Sequence, residues 1–182
     1  MTGIPQSAGT ELTTALQRNR GTVTEFLELL AGEPIDADIR FQKVGPAGGD
    51  NPLGLVPDAE VLRRAVLLTG RTTGRTFVYA ESAIDAHRLP GPVRRQLETS
   101  RDPIGRVLLD HRLAVRREPL AGPVVAKGAG GDITTLLHSA PLSRRYRIIL
   151  DSAPAMVVSE WFLQPVPDAL ATRSRTSASP NH

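Results

Sequence analysis

"RRYRIILDSAPAMVVSEWFL", residues 144–163, reads as two strands joined by a turn, with a carboxylate inside the second. Strand alternation puts Met156, Val158, Glu160 and Phe162 on one face and Val157, Ser159, Trp161 and Leu163 on the other. Both faces are mostly apolar, so Glu160 loses water whichever way the strand turns. A lone ionised carboxylate in such a place costs several kcal/mol unless it is protonated, paired with a cation or set beside a polar cavity. Two readings stay open at this point: a buried Glu–Arg pair within the sheet, and a carboxyl poised for proton transfer.

A cation is available in "VLRRAVLL", residues 61–68. Arg64, Val66 and Leu68 share one face of that strand, and Arg63, Ala65 and Leu67 the other. Arg64 is the inward candidate, because its face continues with the bulkier side chains. It serves either as the partner of Glu160 or as an anchor for a substrate carboxylate, or as both. "GTVTEF", residues 21–26, offers a second anion site. The backbone N–H groups of Val23 and Thr24 lie at a helix N-terminus, where donors and the positive dipole end converge. The alternative there is self-capping by Thr22 and Glu25.

The surrounding chain gives the frame. Residues 10–19 predict a short helix with Leu12 and Leu16 on one side. A capping box at Thr22 and Glu25 opens a second helix, ended by Gly32 and Pro34. "IDADIRFQ" alternates as a half-solvated strand with Ile35, Ala37, Ile39 and Phe41 on one face. Residues 44–58 read as a Gly/Pro-rich loop. "EVLRRAVLL" and "TFVYAESAI" form a hairpin. "LPGPVRRQLETS" and "RDPIGRVLLD" are short helices, the latter with Asp102 as N-cap and Pro103 as its first position. "HRLAVRRE" is a strand, and residues 122–139 mix a glycine-rich loop with an apolar segment of open assignment. Hairpins rather than strand–helix–strand crossovers predict an α+β fold with an antiparallel sheet. One domain is expected over residues 10–167, with loose tails at 1–9 and 168–182.

Composition narrows the chemistry. With 182 residues, 40% of them hydrophobic and 23% charged, the chain is of globular type and long enough to bury a core. It holds no cysteine, which excludes disulfides, thiolate catalysis and cysteine metal sites. His87, His111, His138 and His182 are scattered, so no metal is expected. No Gly-x-Ser-x-Gly turn supports a hydrolase nucleophile. Basic residues (22 against 19 acidic) are arginines apart from Lys43 and Lys127, which suits small carboxylate ligands. No basic run interleaved with aromatics points to nucleic acid. There is no apolar stretch for a signal peptide or membrane span, and a cytoplasmic monomer is the expectation.

The succession "GTVTEFL", "LRRAVLL", "FVYAESAIDAHRLP", "DPIGRVLL" and "RRYRIILDSAPAMVVSEWFL" resembles the chorismate pyruvate-lyase family, in particular its actinobacterial branch, over roughly residues 10–166. The resemblance implies an antiparallel sheet flanked by helices around a small buried pocket. It also implies cofactor-free elimination of pyruvate from chorismate to leave 4-hydroxybenzoate. Matched by position, the catalytic glutamate is Glu160 and the carboxylate-binding arginine Arg64. The backbone contacts fall on Val23 and Ile104. Glu25 departs from the basic residue common after the corresponding Thr, and Gln164 from a proline; the loop 119–132 is hard to align. The alternatives are a non-catalytic effector-binding domain of similar fold, for whose DNA-binding segment this length leaves no room, and a lyase making another hydroxybenzoate isomer. For the proposed reaction Arg64 and Glu160 must share one side of the sheet; otherwise the reaction centre disappears.

Overall fold

The computed structural model describes residues 6–19, 21–127, 130–163 and 165–177. Gln164 and the outermost parts of both expected tails, 1–5 and 178–182, lie outside them. In chain order the elements are α1 (Gln6–Arg18), α2 (Val23–Ala31), β1 (Ile35–Pro46), β2 (Glu60–Gly70), β3 (Thr76–Ile84), α3 (Gly91–Thr99), α4 (Ile104–Asp110), β4 (Val115–Pro119), α5 (Gly131–His138), β5 (Leu142–Leu150), β6 (Ala153–Phe162) and α6 (Pro165–Ser177). The strands make one antiparallel sheet in the order β1-β2-β3-β6-β5-β4. The α+β class and the helix-flanked sheet are as the sequence predicts.

The β5–β6 hairpin turns at Asp151 and Ser152, both with positive φ (48° and 68°), the twist that a two-residue hairpin loop requires. Because β6 is central, it is buried on both faces from Ala155 onward, and Glu160 with it. One side of the sheet carries the helices other than α5. There Leu12, Leu16, Leu27, Val66, Leu68, Val78 and Phe162 pack in one cluster, and Val93, Leu97, Val107, Tyr146, Ile148 and Val158 in another. Smaller clusters cover the opposite side: Leu53, Val61 and Val157 beneath the 47–58 loop, and Ala65, Tyr79 and Trp161 near α5.

Several expectations need correction. Strand β1 continues to Pro46, three residues into the expected loop. A bulge at Arg40 lets Ile39 face Val66 and Phe41 face Ala65, so Phe41 swings to the opposite side and is 42% exposed. Helix α4 starts at Ile104 with Pro103 as N-cap, and the Asp102 side chain accepts from Gln96 Nε2 instead of capping. The strand expected in "HRLAVRRE" begins only at Val115 and runs to Pro119, and the unassigned stretch contains α5. Where a loose tail was expected from 168, α6 runs to Ser177, anchored by the fully buried Val166. Val166 and Leu170 pack it against the cluster that holds Leu12, Leu27 and Phe162.

Candidate active site

Two helix starts meet over the helical face of the sheet. Thr22 caps α2: its Oγ1 accepts from Glu25 N at 3.1 Å while its own N–H donates to Glu25 Oε2 at 2.7 Å. The capping box therefore forms as the sequence predicts. It uses the Thr22 and Glu25 amides and leaves those of Val23 and Thr24 in the first turn, where no intrahelical acceptor exists. The start of α4 comes so close that a Cβ on Gly105 would stand 2.8 Å from Thr22 Cβ. Only glycine allows that approach.

Beneath these starts is a cavity whose space, open mouth included, is about 590 Å³. Val23, Thr24, Ile104, Arg64 and Glu160 all line it, together with Ser82, Arg117 and Tyr146. The walls are otherwise mainly apolar, from Ala37, Val66, Leu68, Leu108, Ile148 and Val158. Arg64 stands opposite Ser82, and Ser82 opposite Val158, the neighbour of Glu160 on the same face of β6. Arg64 and Glu160 thus share one side of the sheet.

They are not each other's partners. Arg64 is 2% exposed and donates from Nη2 to the Asp102 carbonyl at 3.1 Å. Its Nε and Nη1 are buried without a protein acceptor. Burial pushes its pKa down, opposed by the Asp102 charge, yet an arginine so placed keeps its proton. Unmet buried donors cost about 1–3 kcal/mol each, so this is an expensive way to hold an arginine unless an anion uses it.

Glu160 is 4% exposed and held at both oxygens. Arg144 Nε donates to Oε2 at 2.7 Å, and the Tyr146 hydroxyl donates to Oε1 at 2.9 Å. Burial, reinforced by the Glu160 charge, pushes the Tyr146 pKa far up, so the phenol keeps its proton and remains a donor. Burial alone would lower the Arg144 pKa, but Glu160 and Tyr146 more than offset it. The Arg144 guanidinium carbon also lies 5.2 Å from the centre of the Tyr146 ring and 5.4 Å from that of Phe162. The buried Glu–Arg pair left open by the sequence does form, with Arg144 in place of Arg64.

Arg144, Tyr146, Ser82 and Arg117 are site residues that the sequence reading missed. The available signal was the alternation Arg144, Tyr146, Ile148 in β5, which puts a cation, a hydroxyl and an apolar group on one face. It becomes readable only once the register against β6 is known.

A family model described as "Chorismate pyruvate-lyase Rv2949c-like" matches residues 19–169. The chain belongs to this family. Curated relatives named chorismate pyruvate-lyase include one from Mycobacterium tuberculosis, 32% identical over 158 residues, covering 80% of this chain and 76% of that protein. Another, from Mycobacterium leprae, is 30% identical over 160 residues, covering 83% of this chain and 73% of that one. Among solved structures, the effector domain of PhnF from Mycobacterium smegmatis superposes with a TM-score of 0.52 at 15% identity, covering 81% of this chain and 91% of that one. The C-terminal domain of the histidine utilization repressor from Pseudomonas syringae pv. tomato gives 0.50 at 15%, covering 72% and 93%. At such identity these two speak for the fold alone. Among the described residues no helix is long and apolar enough to cross a membrane, and no cluster of three His, Cys, Asp or Glu is placed to hold a metal.

Proposed function

We propose that this chain is a chorismate lyase, eliminating pyruvate from chorismate to leave 4-hydroxybenzoate without a cofactor. One observation carries the reading: a buried arginine with unmet donors and a buried, doubly held carboxylate line the same cavity. Membership of the family supplies the substrate. Chorismate is a dianion whose ring becomes aromatic when the C4 proton and the bond between C3 and the ether oxygen are both lost. The departing enolpyruvate gains a proton on its methylene carbon and leaves as pyruvate. The product ring is so stable that the catalyst's work is mainly orientation, charge stabilisation and one proton.

In this reading Arg64 takes the ring carboxylate through Nε and Nη1, assisted by the amides of Val23 and Ile104, with Thr24 closing that end. The apolar walls hold the ring. Arg144 and Tyr146 both donate to Glu160, so it presents itself as an acceptor toward the C4 end of the ring, the side of a general base. Tyr146 and Arg144 fix its orientation before substrate arrives.

The test is to incubate purified protein with chorismate and follow products by chromatography. Equimolar pyruvate and 4-hydroxybenzoate are expected. A folded sample that binds chorismate and releases neither would replace the lyase with a carboxylate-binding effector domain, and another hydroxybenzoate isomer would revise the product.

A further inference from the structure

The reaction proposed above needs a diacid, and Arg64 accounts for one carboxylate. The strand order shows where the second can go. Arg64 is on β2, Glu160 on β6 and Arg117 on β4, so the carboxylate stands two strands from each arginine. At about 4.8 Å per strand, the backbones of the two arginines are roughly 19 Å apart. Two long side chains leaning inward over the same cavity close much of that span. Arg117 stands opposite Ile148, which places it on the face of Tyr146 and Glu160, and it lines the cavity. Its charge acts on the Tyr146 hydroxyl, against the upward push of burial.

The neighbouring charges make Arg117 available. Glu118 points to the other face of β4, where Arg116 and Arg147 take it. Among the described residues Arg117 has no carboxylate partner. The two cations also differ in setting: Arg64 is deep and nearly inaccessible, whereas Arg117 is exposed at the rim. A rigid ring suits the deep end. The flexible enolpyruvyl arm, which must leave as pyruvate, suits the rim.

We infer that Arg117 binds the carboxylate of the enolpyruvyl arm, so that the substrate lies across the sheet from Arg64 to Arg117 with its reacting carbons above Glu160. The inference rests on the lyase reading and adds a specificity determinant to it: Arg117 separates dianions from monoanionic aryl carboxylates.

The test compares two ligands on wild type, Arg117→Met and Arg117→Lys. Chorismate carries both carboxylates; 4-hydroxybenzoate carries the ring carboxylate alone. For Arg117→Met the KM for chorismate should rise about tenfold or more, with kcat changed less than about threefold, since the contact exists in ground and transition states alike. The inhibition constant of 4-hydroxybenzoate should stay within about twofold, and Arg117→Lys should recover part of the KM. An unchanged KM, or equal weakening of both ligands, overturns the inference. If wild type binds chorismate without turnover, the lyase reading fails by itself. Calorimetry with the same two ligands then decides the role of Arg117: selective loss of chorismate affinity upholds it and equal loss rejects it. A wild type that binds no chorismate overturns both.

Discussion

Arg63 and Arg64 are chain neighbours on one strand, yet the two sides of the sheet use them differently. Arg63 lies under the 47–58 loop, and its Nη2 donates to the carbonyls of Pro46 at 2.7 Å and Ala47 at 3.2 Å. The carboxylate on that side, Glu81, accepts from Lys127 N at 2.9 Å and from the Tyr79 hydroxyl at 2.8 Å. Charged groups there tie loops to the sheet, over a wide groove of about 1730 Å³. Arg64 and Glu160 lie under helices in a smaller, more enclosed space. There the partners fix the charged groups in place and leave part of their bonding capacity toward the cavity. The same residue types thus fasten structure on one face and, in the proposed reading, present chemistry on the other. The two arginines differ in degree: Arg63 leaves Nη1 buried without an acceptor, whereas Arg64 leaves both Nε and Nη1.

The sharpest way to break this contrast is a pair of isosteric changes. Glu160→Gln should lower kcat about a thousandfold, within the range for loss of an acid–base group, while Glu81→Gln stays within about threefold. Equal losses would mean that the faces are not functionally distinct. Next comes the arginine pair. Arg64→Met should cost about a hundredfold in kcat/KM through its charged hydrogen bonds, and Arg63→Met less than about threefold, with its cost appearing as a lower Tm.

Tyr146→Phe removes one of the two donors to Glu160 and should reduce kcat about tenfold, at the level of a single hydrogen bond, with little change in KM. Gly105→Ala tests how closely the helix starts must approach. The added methyl forces Thr22 and α2 aside, so KM should rise a few-fold and stability fall by about 1–2 kcal/mol.

The smallest effect concerns acid stability. The Gln96 hydrogen bond, helped by Ser100 and nearby arginines, holds the Asp102 pKa below its ordinary value against burial. A carboxylate lowered on folding stabilises the protein above its unfolded pKa, and the gain is lost as pH falls through the folded value. Asp102→Asn should therefore flatten the decline of Tm below about pH 4 and leave the neutral-pH activity near wild type, because Arg64 bonds the Asp102 carbonyl and not its side chain.

Period-two alternation is local, and it was legible. It set Arg64 with Val66 and Leu68, and Glu160 with Val158 and Phe162. The capping box of Thr22 and Glu25 and the stop at Gly32 (φ 72°) were equally readable, since each involves neighbours within one turn. The sequence could not show which faces of different strands coincide, because bulges decide that. In the β5–β6 hairpin Ile149 pairs with Pro154 but Ile148 with Met156, leaving Ala155 as an extra residue. Without it Glu160 would stand opposite Ser143, and Arg144 and Tyr146 would face the other side. In the β2–β3 hairpin the extra Phe77 puts Ser82 rather than Glu81 opposite Arg64, which keeps a second carboxylate off that face. Both bulges are held by remote contacts: the Ala155 carbonyl accepts from Asp85 N at 2.9 Å, and that of Phe77 from Leu163 N at 2.8 Å. Sequence by itself determined the sheet, its hairpins and the two central charged groups, because those follow from propensity and alternation. Only tertiary structure decided that Arg144, Tyr146 and Arg117 join them, because one inserted residue per hairpin reverses cross-strand facing, and its position is fixed by backbone groups distant in the chain.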